Sequence, residues 1–287
     1  MVGSRRAICL TIDLEECTAP LELRGCPLSE QESLKPSEEG AHRLLRVLER
    51  EGIDATFFIT GFFASKRPEL VRRIADMGWE IANHGLRHGP AAGRDGMDGL
   101  RASGEILERI SGARPLGYRA PRLRIGPGII KALKRLGYVY DSSILPTYVP
   151  GRFNWLGMKA SPFSWDLGGE GRLVEIPISV TPILRIPVGW WWFRKNFGSR
   201  ICKIGFDAIW RRGMPVICNV HPWELSGLPK TYRMPAHVKF NCGAASEAQI
   251  RMLIAHGKRA GAEFLRMIDL AESISVDIGG SDPIDPF

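Results

Sequence analysis

Seven short runs rich in β-branched and aromatic residues alternate with helical patterns along this chain. That alternation restricts the fold more than any other feature. The runs are AICLTIDLE (7–15), DATFFIT (54–60), WEIANHG (79–85), LGYRAP (116–121), YVYDSS (138–143), LVEIPIS (173–179) and PVICNVHP (215–222). Most end in Gly, Pro or polar residues, as strands do. The segments between them carry helix start and stop signals. In EEGAHRLLRVLEREG, Ala41, Leu44, Leu45 and Leu48 form an i, i+3, i+4, i+7 stripe that Gly52 ends. Pro68 opens a second helix that Gly78 closes, and Ile129, Ile130, Leu133 and Leu136 line a third before Gly137. One long last helix is expected from about residue 246 to residue 273.

Strands alternating with helices predict a parallel sheet. Seven of them predict an α/β fold of the distorted (β/α) barrel type, seven-stranded, in a single domain over residues 1–275. The Gly/Pro-rich end, 276–287, is expected to be a flexible tail. No run approaches the ~18 apolar residues of a membrane span. The first apolar run is too short for a signal peptide and is interrupted by Asp13. The six cysteines form no C-x-x-C pair, so neither a zinc knuckle nor a thioredoxin-like motif is indicated. These features predict a cytoplasmic protein with free thiols, peripheral at most to the inner membrane face. The net charge of +8 is spread over helices with no basic–aromatic platform, which argues against nucleic-acid binding.

In barrels of this type, chemistry collects where strands end at the carboxyl edge. Here Asp13, Glu15 and Glu16 end the first run, His84 and His88 follow the third, Arg119 ends the fourth and His221 ends the last. Three acids within four residues repel one another unless a cation or solvent offsets the charge. Asp13 and Glu15 share one face of an extended strand. His-x-x-x-His offers two imidazoles to one ion, and a catalytic Zn²⁺ usually takes three protein ligands. A zincin is excluded because Gly85 stands where H-E-x-x-H requires Glu. A carboxylate would complete the ligand set, with Glu15 and Glu16 both eligible. His42 and His256 sit within helical patterns and read as structural, whereas His237 follows a loop and is a lesser candidate for substrate contact.

In order and spacing, TIDLEE, NHGLRH, YRAP and VICNVHP resemble the polysaccharide deacetylase (NodB-homology) family over roughly residues 5–270. The phrases GYVYDSSILP, VEIPIS and HPWEL look most like its exosortase-associated branch. The resemblance implies a distorted (β/α) barrel that uses a divalent metal, zinc above all, to remove acyl groups from N-acetylated sugars. It implies Asp13 as general base, His221 as general acid and Arg119 as the partner of the base. It implies Glu15, His84 and His88 as metal ligands, with Glu16 as the alternative carboxylate. Pro121 would shape the loop, a backbone N–H of Arg122 would meet the oxyanion, and Trp223 would line the site.

Two departures stand out. The opening T-F-D-D of the family is T-I-D-L-E-E here, and the family's Asp supporting the acid histidine has no counterpart, since Trp165 and Asp166 stand in the wrong order. Alternatives are therefore a related amidohydrolase or deformylase acting on a small molecule or formamido sugar, metal-independent in some branches, and a non-catalytic carbohydrate-binding relative. The segment IPVGWWWFRKNFG (186–198) places Trp190, Trp191 and Trp192 beside Arg194 and Lys195. Such aromatic belts mark bilayer interfaces and sugar-stacking surfaces. They point to an amino-sugar glycan or a lipid-linked saccharide as substrate, with peripheral membrane contact through the three tryptophans.

Overall fold

A computed structural model describes residues 6–89, 96–228 and 232–277. Its strands are β1 (Ala7–Leu14), β2 (Thr56–Ile59), β3 (Glu80–Asn83), β4 (Gly117–Tyr118), β5 (Tyr140–Asp141), β6 (Tyr148–Val149), β7 (Phe153–Asn154), β8 (Phe163–Asp166), β9 (Arg172–Glu175), β10 (Val216–Val220) and β11 (Glu263–Phe264). The main sheet runs β10-β1-β2-β3-β4-β5-β9-β8, and β11 pairs with β1. The seven predicted runs are β1, β2, β3, β4, β5, β9 and β10, and they pair in parallel in the order β10-β1-β2-β3-β4-β5-β9. The antiparallel β8, the parallel β11 and the β6–β7 hairpin were not foreseen.

The sheet curls into an incomplete barrel. Between β9 and β10 it is bridged by irregular chain: Ser179 N donates to Ile217 O at 3.1 Å, and Asn219 N donates to Gly189 O at 2.9 Å. That bridge accounts for the distortion.

The two faces of β1 show how the pleat positions the site. Ile8, Leu10, Ile12 and Leu14 pack outward into the largest core cluster, against Ala41, Leu44, Leu45 and Leu48 of the helix Glu30–Glu51. Thr11 and Asp13 alternate with them and meet polar partners from other strands. The Glu30–Glu51 helix starts at a Ser29–Glu32 capping box and ends at Gly52, whose left-handed φ of 57° no β-branched residue would tolerate. The helices from Pro68 and Pro127 also begin as expected.

The expected helix over 246–273 is two helices, Ala244–Arg259 and Met267–Asp277, with β11 between them. The chain turns at Gly261 (φ 68°), and Glu263 and Leu265 then donate their N–H groups to Arg6 O and Ile8 O. Ladder bonds to β1 satisfy this backbone better than continuing a weakly amphipathic helix would. Of the tail expected at 276–287, the last helix reaches Asp277, and residues 278–287 lie outside the described residues.

One close approach ties the first long helix to the site. A Cβ on Gly40 would stand 1.6 Å from the carbonyl oxygen of Pro222, the residue after His221. Gly40→Ala must therefore push the His221 loop off the helix. The expected result is a loss of about 1–3 kcal/mol in urea unfolding, typical of an overpacked contact. An unchanged midpoint would show that the loop shifts at no cost.

Candidate active site

At the carboxyl edge of the strands, residues from seven segments converge on one cavity of about 520 Å³. Its floor is polar. Glu15, just past the end of β1, points its carboxylate at two imidazoles, with Oε2 3.0 Å from His84 Nε2 and 3.1 Å from His88 Nε2. One ligand atom from each of Glu15, His84 and His88 lies within 4.8 Å of the others, and all three are largely buried.

The hydrogen bonds around the imidazoles favour this use. His84 Nδ1 lies 2.7 Å from the carbonyl oxygen of Arg119, which can only accept, so Nδ1 carries the proton and Nε2 presents a lone pair to Glu15. Two acceptors facing each other at 3.0 Å need a proton or a cation between them. His88 Nδ1 lies 2.7 Å from Thr18 Oγ1. A histidine anchored through one ring nitrogen with the other turned to the site is the usual arrangement around a metal. The donor set therefore fits a divalent cation of the zinc type.

Glu16 takes a different place. Its Oε2 accepts from Thr60 Oγ1 at 2.8 Å and its Oε1 from the backbone N–H of His88 at 2.8 Å, so it ties β1 to the histidine loop. Asn83 Oδ1 accepts from Gly85 N at 2.8 Å, and Gly61 N and Phe62 N donate to Gly85 O and Leu86 O. The loop carrying His84 and His88 is thus pinned at both ends.

Beside this set lies a buried ion pair. Arg119 Nη1 donates to Asp13 Oδ1 and to Thr11 Oγ1, each at 2.7 Å, and Arg119 also donates to the backbone oxygen and hydroxyl of Ser142. Burial alone would raise the Asp13 pKa, but the charge of Arg119, with that of His221, holds its carboxyl well below the usual carboxylate range. Asp13 Oδ2 accepts from Asn219 Nδ2 at 3.1 Å and stands 3.6 Å from His221 Nε2.

His221 closes the far side. Its Nδ1 lies 3.3 Å from Glu224 Oε1, which also accepts from the His221 backbone N–H at 2.7 Å. Burial would lower the His221 pKa, but the Glu224 hydrogen bond and the charges of Glu15 and Asp13 outweigh it and raise it. Glu224 is fully buried and bonded to Arg194, whose Nη1 also donates to Ser246 Oγ and Gln249 Oε1. Burial would raise Glu224, yet the Arg194 charge brings its pKa down to about 2.

Glu224 occupies the place beside the histidine that sequence analysis left unfilled. Trp165 instead donates to Glu175 Oε2 from within β8, and Asp166 is exposed. The signal for Glu224 was present in HPWEL, an acid three residues after the histidine. Asn219 was legible too, on the same face of β10 as His221. Nothing in the sequence pointed to Thr18 or Arg194.

Of the remaining predicted residues, Arg122 and Trp223 lie at the cavity wall. Arg122 adopts a φ of 60° there, Pro121 packs against Gly85, and Trp223 stands 5.4 Å from the His221 ring. Trp190, Trp191 and Trp192 also line the cavity; Trp190 is 7% exposed, and Trp191 meets His221 edge-on at 5.1 Å. Lys195 is buried and donates to Val238 O and Cys242 Sγ. His237 lines the same cavity, while His256 pairs with Asp207 away from it. The cysteines form no disulfide among the described residues.

The fold and site together define an incomplete (β/α) barrel with a metal-competent polar centre at the carboxyl edge of its strands. Residues 34–140 match the polysaccharide deacetylase family, and residues 142–267 match a domain of unknown function, DUF3473, that marks the exosortase-associated branch. Residues 34–140 thus carry a polysaccharide deacetylase domain, as the sequence resemblance implied. It is 35% identical over 126 residues to the peptidoglycan deacetylase-like protein FGM2 of Gibberella zeae, covering 42% of this chain and 37% of that protein. The chain spans about half or less of the length of three curated relatives it matches.

Among solved structures, it resembles a polysaccharide deacetylase of Mycobacterium smegmatis (TM-score 0.70, 22% identity, 96% of this chain and 92% of that one). It also resembles Puue allantoinase (TM-score 0.72, 17% identity, 96% and 92%). At these identities the likeness extends to the fold alone. Among the described residues, no helix is long and apolar enough to cross a membrane.

Proposed function

We propose that this chain is a metal-dependent carbohydrate deacetylase that hydrolyses the N-acetyl group of an amino sugar in a polysaccharide or lipid-linked saccharide. The observation that carries this reading is the buried Glu15–His84–His88 donor set, flanked by the Asp13–Arg119 and His221–Glu224 pairs. A divalent cation held by those three residues supplies a Lewis-acid centre that polarises an amide carbonyl and eases deprotonation of water at neutral pH.

The protein groups divide the remaining work. Asp13, kept ionised by Arg119, accepts the proton of the attacking water. His221, kept cationic by Glu224 and facing Asp13 across the floor, donates a proton to the departing amine nitrogen. The C–N bond breaks as the new C–O bond is retained, giving acetate and a free amino sugar. A backbone N–H of Arg122, on the loop shaped by Pro121, stabilises the oxyanion. Trp191 and Trp223 offer aromatic faces to the sugar.

The test is elemental analysis of protein purified without chelator, beside His84→Ala and His88→Ala variants, with acetate release from an N-acetyl chitooligosaccharide as the activity. About one divalent ion per chain is expected, lost together with activity in the variants. Turnover of a cyclic ureide by a metal-free protein would instead establish the small-molecule amidohydrolase. Saccharide binding with no acetate release from any acetylated amino sugar would point to the non-catalytic relative.

A further inference from the structure

Between Glu175 and Asp207 the chain carries no acidic residue, whereas Arg185, Arg194, Lys195, Arg200 and Lys203 all fall within residues 176–206. Arg194 and Lys195 are buried in the interactions described above. The other three reach the surface, Arg200 exposed and Arg185 and Lys203 partly so. The same stretch holds the three most exposed large apolar side chains among the described residues, Ile183 at 77%, Leu184 at 76% and Ile204 at 69%, and also the exposed Phe197 and Ile201.

These groups sit on ordered chain. Ile183 and Leu184 cap a turn closed by Thr181 N to Ile186 O at 2.9 Å and Ile186 N to Thr181 Oγ1 at 3.0 Å. Phe197, Ile201 and Ile204 follow at a spacing of four and three, flanking the break at Gly198 and continuing into the helix Ser199–Trp210. That helix packs its Gly205 directly on Val188, two residues past the turn. The patch also joins the cavity, whose wall includes Pro187, Phe193 and Phe197, and Phe193 stacks on Phe197 at 4.6 Å.

An exposed aliphatic turn beside basic residues, with no acid in the segment, has the chemistry of a surface that inserts shallowly between acyl chains while its cations meet anionic headgroups. An acidic protein partner would satisfy the charge but would leave two aliphatic side chains projecting from a tight turn with no complementary pocket. We infer that the Thr181–Ile186 turn and the Phe197–Ile204 face dock this protein on an anionic bilayer, setting the cavity mouth at the headgroup level. An acceptor carried by a lipid then reaches the cavity without leaving the membrane. The docking goes beyond the catalytic reading and does not depend on it, since membrane binding is measured without turnover.

The test is co-sedimentation of the full chain with vesicles of phosphatidylcholine alone and of equal phosphatidylcholine and phosphatidylglycerol. Binding is expected to the anionic vesicles, weakened by raised salt, and lowered about tenfold or more by the double substitution Ile183→Asp, Leu184→Asp. Met77→Asp, which alters an exposed apolar residue after the helix Pro68–Asp76, should bind as the parent does. Light scattering and circular dichroism of each variant establish that it is folded and in the parent's oligomeric state. No binding to anionic vesicles, equal binding by the double variant, or an equal loss in Met77→Asp would each overturn the inference. A dimer dispersed by the double substitution, without vesicle binding, would assign the patch to a second copy instead.

Discussion

Asp13→Asn is expected to lower kcat/KM by about 10²–10⁴-fold, the range for loss of a general base, with bound metal retained. Asparagine keeps the shape of aspartate and can still accept from Arg119 Nη1 through its carbonyl oxygen. It cannot take a proton. The loss should fall on kcat with KM little changed, because proton transfer is an interaction of the transition state. Arg119 is fully buried and would be left without its counter-charge, so stability should fall as well. Metal analysis and circular dichroism of the same preparation separate the two effects. A folded, metal-loaded Asp13→Asn protein turning over at the parent's rate would remove Asp13 from the mechanism and shift the base to another carboxylate.

The second large effect concerns stability. Arg194→Met leaves Glu224 buried beside His221 with no arginine to balance it, and breaking one side of a buried pair typically costs about 3–5 kcal/mol. The pH dependence follows from the depressed pKa of Glu224, about 2 against an ordinary 4.5. A carboxylate with a lowered folded pKa contributes stability that is complete above its unfolded pKa and is lost as pH falls through the folded one. The advantage of the parent over Arg194→Met should therefore be full above pH 4.5 and shrink steadily as pH drops towards 2. Denaturant unfolding of both proteins across that window measures it. A constant gap would show that Arg194 acts by packing alone, through the helix Trp191–Phe197 it belongs to. Activity near neutral pH should also fall in the variant, because Glu224 then orients His221 less firmly.

These two sites differ in how far the sequence revealed them. Asp13, His84, His88, Arg119 and His221 were visible because each closes or follows a β-rich run, and a parallel barrel gathers such strand ends at one edge. The seven parallel strands were visible for a similar reason, since their runs have the length and residue types of buried strands. The choice between Glu15 and Glu16 was not legible. It depends on where the chain turns after Leu14, which sends one carboxylate towards two imidazoles and the other towards Thr60 and the His88 backbone.

The break in the last helix was hidden for a comparable reason. Its sequence favours helix on both sides of Gly261, and only the start of β1, Ala7 and Ile8, which β2 does not reach, makes the strand β11 worthwhile. Arg194 and Lys195 follow the three tryptophans in sequence. Local sequence carries no information about a glutamate thirty residues away, so their burial could not be read from it.

What the sequence determined by itself is the seven parallel strands, the helices punctuated by proline and glycine between them and the edge where chemistry collects, because hydrophobic periodicity, proline and glycine punctuation and the pleat act over a few residues. Only the tertiary structure decided which acid faces the histidines, which acid supports His221, which arginine balances that acid, and which apolar groups face outward. Those outcomes depend on removing charges from water in pairs and on the register that brings distant segments within hydrogen-bonding distance, and both arise only when the barrel closes.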